Sequence, residues 1–522
     1  MSATETPTIT ATKGTEQAAT RRQIRGSSLL LVGRFLSKGV NFAIQVLIVR
    51  YLTKSDYGAF AYALSIVLIG EAIVTFGLDR AVTRFVPIYH EQRDYNKMFG
   101  TLVMVMGTLL LLSLALILLF FGLQGFIGQE LINDQLAMAL LLILIFLSPV
   151  RAYDTLLNGM FAVFSRPSAI FFRKYVLGPG LKLGVVLVLV LGRSNVRFLA
   201  FGYLAAAVIA VTIFSVVLYR VLREQKLFQN FSFRTLEIPW KVILAFTVPL
   251  LTSDLVYLAM GSMDVVLLEH FRGTVDVAAL RAVQPAARLN QIVLASFGLL
   301  FTPVAARMFA RGEREGINKL YWQNAIWIAV ISFPIFALTF SLAQPMTTLL
   351  FGERYRESAM ILALLSFGYY FNAALGQNGL TLKVFGKVRY VMGINIFVAT
   401  LNVVLNLILI PRYGAMGAAV GTFTTLIIFN LLKQGGLRFG TGINILEGRH
   451  LKVYLIIAFG ALGLLLVQLT TSAPVYVSIA FAAIVSFAVL RLNRDSLNVE
   501  KTFPEILRFP LVRWFFGKKE SV

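Results

Sequence analysis

Arg34, Lys38, Asn41 and Gln45 stand at i, i+4, i+7 and i+11 in a run that is otherwise apolar. Arg281, Gln284, Arg288 and Gln291 follow a similar pattern at i, i+3, i+7 and i+10. At 3.6 residues per turn, each set falls on one face of a helix. Two helices therefore each present two cations side by side. Arg151 and Lys182 are further cations inside apolar runs, and Asp154 and Asn158 share the face of Arg151. Carboxylates in such runs are few: Glu71, Asp79, Asp154, Asp254 and Asp264. Asp79 has Arg80 and Arg84 as neighbours. The spacing allows Arg151 to pair with Asp154, and buried pairs or interhelical hydrogen bonds are the structural alternative to a binding role. A surplus of positive charge in a hydrated space favours an anionic ligand. On that reading Arg34, Lys38, Arg281, Arg288, Arg151 and Lys182 bind substrate together with Asn41 and Gln284. Glu71, Asp254 and Asp264 are the candidates for ion coupling.

The elements that must carry these residues are membrane helices. Hydrophobic residues make up 58% of the 522-residue chain and charged residues only 14%, against about 25% charged in soluble domains. Mean hydropathy is +0.78. Spanning a hydrocarbon core of about 30 Å takes roughly 20 apolar residues. About 14 blocks of that kind run from 27–50 to 474–491, among them 242–269, 389–410 and 415–437. The net charge of +23 would indicate nucleic acid in a soluble protein. Here most Lys and Arg fall in alternate loops, as the positive-inside rule requires of cytoplasmic ones. Nucleic acid is then not expected as a partner. The expected location is the inner (plasma) membrane, multi-pass, with both termini cytoplasmic.

A weak internal repeat has an offset near 220 residues. Asp56 and Ala59 lie over Asp276 and Ala279, and Asn158-Gly159 lies over Asn378-Gly379. The Phe-Gly-Leu at 76–78 recurs at 297–299, displaced by one residue. A duplication of six spans places both halves in the same orientation, with a cavity between them. The expected fold class is all-α: two pseudo-symmetric six-helix lobes plus two extra C-terminal helices. The segments are a disordered cytoplasmic tail at 1–25, an N-lobe at 26–223, a C-lobe at 239–440, helices 13–14 at 451–491 and an interfacial tail at 492–522. Gly178-Pro179-Gly180, Pro249, Pro285 and Pro303 mark bends within spans.

Enzyme chemistry finds little support. There is no GxxxxGK[ST] loop for nucleotide hydrolysis, no HExxH, no cysteine and only 3 His. No cofactor or metal is expected. The connections expected outside are too short for a lipid-dependent glycosyltransferase site.

RYLTKSDYGAFAYALSI (50–66) and FGLDRAVTRFVPIY (76–89) resemble polysaccharide-export flippases of the Wzx (O-antigen translocase) type. In the second half so do Pro249, Asp264, LFGERYRESAMILALLS (350–366) and NLILIPRYGAMGAAVGT (406–422). The resemblance covers roughly residues 25 to 440 and implies the multidrug/oligosaccharidyl-lipid/polysaccharide exporter fold, a V-shaped bundle around a central cavity. It implies a polyprenyl-diphosphate-linked glycan as passenger, moved by alternating access across the lipid bilayer. Polysaccharide polymerase and glycosyltransferases are the implied partners in assembling an O-antigen or exopolysaccharide. Related lipid II flippases carry essential cavity arginines on helices one and eight, which points to Arg34, Lys38, Arg281 and Arg288. The alternative within the superfamily is a multidrug or small-metabolite cation/proton antiporter.

Overall fold

The computed structural model describes residues 32–164, 167–227, 233–443, 448–471 and 473–497. The expected tails therefore lie largely outside the described residues. Every regular element described is helical. The first half runs α1 (Val32–Tyr51), α2 (Lys54–Thr75), α3 (Leu78–Glu91), α4 (Tyr95–Gly122), α5 (Gln135–Leu144), α6 (Leu147–Val163), α7 (Gly178–Leu191) and α8 (Val196–Glu224). The second half runs α9 (Trp240–Arg272), α10 (Thr274–Arg288), α11 (Gln291–Ala310), α12 (Arg314–Phe336), α13 (Ala359–Ala374), α14 (Asn378–Val384), α15 (Val388–Thr441), α16 (Gly448–Thr470) and α17 (Val475–Leu492).

Among the described residues, ten helices are long and apolar enough to cross a membrane, or twelve if two bent pairs each count as one span. The expected count of about 14 differs for identifiable reasons. The blocks 389–410 and 415–437 fall on the single 54-residue α15, which if straight would extend about 80 Å, far beyond a bilayer core. It is not straight. Gly414 has φ 56° and ψ −135°, so two helices meet there at a break. The Asp276 carboxylate fills the place a side chain on Gly414 would take and accepts from the Ala415 N–H at 3.2 Å. The block 242–269 lies on α9, which is not among the ten or twelve.

The repeated Phe-Gly-Leu marks a bend in each half. Between α2 and α3, Phe76 (φ 49°) and Gly77 (φ 68°) are both left-handed, and the chain turns into the amphipathic α3. In α11 the pieces Gln291–Gly298 and Phe301–Ala310 meet at 43°. Local chemistry fixes the helix starts. Asp94 caps α4 by accepting from Lys97 N at 3.0 Å, and Asp134 caps α5 through Leu136 N and Ala137 N. Asn195 does the same for α8.

The chain divides into two compact units, one within Met1–Leu52 and Ala63–Leu255, the other within Thr53–Tyr62 and Val256–Val522. The core of the first is built on Leu78, Val82, Phe85, Met98, Phe161 and Phe214. In the second unit, Phe333, Phe336 and Tyr370 pack with Val453, Ile457 and Leu464 of α16.

Candidate functional site

The site in the first unit begins with a close approach of two helices. Gly70 on α2 faces Ser148 on α6, where a Cβ would come within 2.6 Å of the Ser148 hydroxyl. Ser148 Oγ donates to the Val67 carbonyl at 3.1 Å. Small residues at such a crossing let the backbones meet. One step along each helix, Arg151 Nε then donates to Glu71 Oε2 at 2.7 Å.

A cavity of about 410 Å³ opens beside this pair. Its polar lining comprises Asn41, Glu71, Arg151, Asp154, Thr155, Asn158, Arg173, Lys174, Lys182 and Tyr203. Arg173 and Lys174 reach it because the chain ahead of α7 adopts a π-turn, Phe172–Leu177, in which the Gly178 N–H bonds the Arg173 carbonyl. Pro179 follows at once and has no N–H to continue the α-helical ladder. Such insertions widen the turn and re-aim side chains. Arg173 is buried, ion-paired to Asp154, and donates to Asn158 Oδ1 at 2.6 Å and the Asp154 carbonyl at 2.8 Å. The Arg151–Asp154 pair allowed by spacing is thus replaced by two long-range pairs, Arg151–Glu71 and Arg173–Asp154. Lys182 lies over the Tyr203 ring, 5.6 Å from its centroid.

Of the expected site residues, Asn41, Glu71, Arg151 and Lys182 are brought together here. Arg34 and Lys38 are not in the cavity wall; both are exposed on α1, and Arg34 acts electrostatically on Lys174. Asn41 is held by its own helix, donating to the Ser37 carbonyl at 2.7 Å. Sequence reasoning missed Arg173 and Lys174, although Gly178-Pro179-Gly180 flagged a disturbed helix just beyond them.

In the second unit a separate polar cluster forms on α9, α10 and α13. Arg281 donates to Gln284 Oε1 at 2.6 Å and to the Gly261 carbonyl at 3.0 Å, and its guanidinium lies 3.9 Å from Asp264. Arg288 Nε donates to the Tyr369 hydroxyl at 3.1 Å. Glu71 and Asp264, expected as ion-coupling groups, are each the ionic partner of an arginine. The side chain of Asp254 lies outside the described residues. Glu269, which the sequence reading did not count, is fully buried in this unit, where its charge acts on Tyr62.

The first site can stabilise an anion. Four cations stand against two carboxylates, and both carboxylates are already engaged by arginines. Lys174 and Lys182 remain without a carboxylate partner among the described residues.

Comparison with known proteins gives the family and the fold. The family model for polysaccharide biosynthesis proteins matches residues 24–309, more than half of the chain, and a MatE model matches 249–408. An uncharacterized membrane protein of Methanocaldococcus jannaschii is 22% identical over 77% of this chain and 81% of its own length. The capsular polysaccharide biosynthesis protein CapF of Staphylococcus aureus is 25% identical over 35% of this chain and 46% of its own. Among solved structures, the lipid II flippase MurJ in an inward closed conformation superposes with a TM-score of 0.68 at 16% identity, over 89% of this chain and 98% of its own. An inward-facing MATE-family multidrug transporter gives 0.60 at 15% identity, over 76% and 93%. The shared fold is therefore that of the multidrug/oligosaccharidyl-lipid/polysaccharide exporters, and this multi-pass membrane protein belongs to the polysaccharide biosynthesis protein family.

Proposed function

We propose that this protein is a carrier rather than an enzyme, a flippase that moves a polyprenyl-diphosphate-linked oligosaccharide from the inner to the outer leaflet for export of a cell-surface polysaccharide. The observation that carries the reading is the surplus of cations around the first unit's cavity, in a chain of the polysaccharide biosynthesis family. The passenger's sugars and diphosphate cannot cross hydrocarbon unaided. A hydrated cationic space offsets the charge of the head while the polyprenyl tail stays in lipid. Exchange between inward- and outward-open states then completes the transfer. Moving negative charge outward is favoured by an inside-negative potential, by about 2.3 kcal/mol per charge per 100 mV, so potential alone can drive the step. Orientation by positive loops supports cytoplasmic termini in the inner membrane, where the enzymes that assemble and polymerise the glycan are the natural partners.

A second reading, exchange of an organic cation for protons, has the MatE match at 249–408 in its favour. It needs free carboxylates, whereas Glu71 is bonded to Arg151 and Asp264 faces Arg281. The test is a reconstituted vesicle assay in which a fluorescent polyprenyl-diphosphate oligosaccharide is exposed to a membrane-impermeant quencher. Protein-dependent loss of protected signal is expected. No acceleration over protein-free vesicles, with proton-linked efflux of cationic dyes instead, would transfer the assignment to the antiporter.

A further inference from the structure

We propose that the cavity inside the first unit is by itself the phosphate subsite, with Lys182 and Lys174 as its charge donors and the unused Arg173 Nε–H as its fixed hydrogen-bond donor. Three independent observations converge there. First, the ionic pairs Arg151–Glu71 and Arg173–Asp154 engage both carboxylates of the wall, so neither lysine has a salt bridge to a carboxylate among the described residues. Uncompensated charge within the apolar part of a membrane protein is costly and is retained where a ligand or water meets it.

Second, Arg173 Nε is buried and has no hydrogen-bond partner, although Nη1 is held by Asn158 and Nη2 by Asp154. Buried donors are satisfied in more than nine cases in ten. A guanidinium held by two neighbours with its Nε–H left over is suited to an oxyanion. Third, part of the wall is made of small residues. Ala206, Ala207 and Ala210 of α8 line the cavity next to Tyr203, giving space rather than contact. A volume of about 410 Å³ falls within the roughly 300–1,000 Å³ of small-ligand sites.

The ligand chemistry is a phosphate or diphosphate group. That it belongs to a lipid-linked glycan rests on the function proposed above; binding of the anion does not. The assignment moves the phosphate away from Arg34, Lys38, Arg281 and Arg288, the positions expected from the resemblance. It makes Arg151 and Glu71 the positioning pair of the wall.

The test uses the full chain in nanodiscs of neutral lipid, titrated with inorganic diphosphate and, separately, with a short-chain polyprenyl-diphosphate disaccharide. Lys174→Gln with Lys182→Gln is expected to weaken binding of both probes at least tenfold without changing the melting temperature, and Lys182→Arg to restore most of it. Ala207→Phe is expected to weaken the lipid-linked probe more than inorganic diphosphate. If only the lipid-linked probe binds, and the double variant loses it, the source is the lipid and the subsite stands. Unchanged affinity in a folded double variant, or loss of binding through Arg34→Gln and Lys38→Gln instead, would overturn it. The two readings fail separately. A wild-type protein that binds diphosphate through these lysines yet flips no glycan lipid refutes the flippase alone. One that flips the lipid equally well without the lysines refutes the subsite alone.

Discussion

Arg151 Nε sits 2.7 Å from Glu71 Oε2, and this pair joins α6 to α2 one step beyond the Gly70–Ser148 crossing. Both side chains keep partial access to the cavity, 36% and 21% exposed. The pair therefore belongs between a surface ion pair and a fully buried one. Glu71→Gln should lower stability by about 1–2 kcal/mol, because it strands a cation that is half out of solvent. Glu71→Gln combined with Arg151→Gln should recover most of that loss. Melting temperatures of the three variants in one detergent check the cycle. If Glu71 instead serves an ion, the double variant will be stable but its transport will no longer respond to an ion gradient.

Gly70→Val places a branched side chain where Ser148 Oγ already lies within 2.6 Å of an added Cβ. The backbone of α2 is helical there, so the change meets a steric wall and not a conformational one. Relief requires α2 and α6 to part, which also pulls Glu71 from Arg151. A loss of about 1–3 kcal/mol is expected from overpacking, together with weaker diphosphate binding. Ser148→Ala should be far milder, since it removes only the bond to the Val67 carbonyl. Equal damage from both would show that the hydrogen bond, not the close approach, holds the helices.

The break in α15 gives a third expectation. Gly414 combines φ 56° with ψ −135°, a region side chains avoid, and the Asp276 carboxylate fills the adjoining space. Gly414→Ala should cost roughly 1–3 kcal/mol in backbone strain, with the displaced carboxylate adding to it. Asp276→Ala leaves the Ala415 N–H without its acceptor and should be destabilising by a smaller amount. Thermal unfolding of each variant measures the order.

Asp94 offers the pH dependence. It caps α4, and its carboxyl is held below the usual carboxylate range by the Lys97 backbone N–H first and then by the Lys97 ammonium at 2.9 Å. A lowered folded value contributes stability above the unfolded pKa of about 3.9 and loses it as pH falls through the folded value. Asp94→Ala should thus cost under about 1 kcal/mol at neutral pH. The difference from wild type should shrink toward zero in acid. Amide exchange at the first turn of α4, followed with pH, reports it; a difference that persists unchanged at pH 3 contradicts the capping account.

Much of this was legible in the sequence, and the remainder was hidden for physical reasons. Charges inside apolar runs stand out, so Arg151, Lys182, Glu71 and Asp264 were found from composition alone. The repeated Phe-Gly-Leu was read only as a sign of duplication, yet each copy lies at a bend, the first with Phe76 and Gly77 both left-handed. Pairing was not legible. Spacing i, i+3 allowed Arg151 to meet Asp154, but only the fold brings Glu71 from 80 residues away and Arg173 from the next helix. Arg173 and Lys174 escaped because a regular α-helix does not aim both into one cavity. The π-turn before Pro179 does. Asn158-Gly159 and Asn378-Gly379 repeat in sequence, yet Asn158 accepts from Arg173 while Asn378 donates to Asn430. Equal residues thus acquired unequal neighbours.

The second unit separates two arginines that look alike in sequence. Arg281 is tied to Gln284, Gly261 and the buried Asp264, which is only 2% exposed. Arg281→Ala would leave that carboxylate uncompensated, at a cost of about 3–5 kcal/mol, so its loss should appear first as poor folding. Asp264→Asn with Arg281→Gln should fold better than Arg281→Ala alone. Arg288 has the Tyr369 hydroxyl as its hydrogen-bond partner and the same ring 5.8 Å away. Among the described residues, Arg288 is thus held by a hydroxyl and a ring rather than by a salt bridge. Arg288→Ala should therefore keep the melting temperature within about 1 kcal/mol of stability while slowing translocation severalfold, and Tyr369→Phe should alter both only slightly. Melting curves and vesicle transport on the same preparations decide it. If Arg281→Ala folds normally but fails to transport while Arg288→Ala transports normally, the roles of the two arginines are reversed.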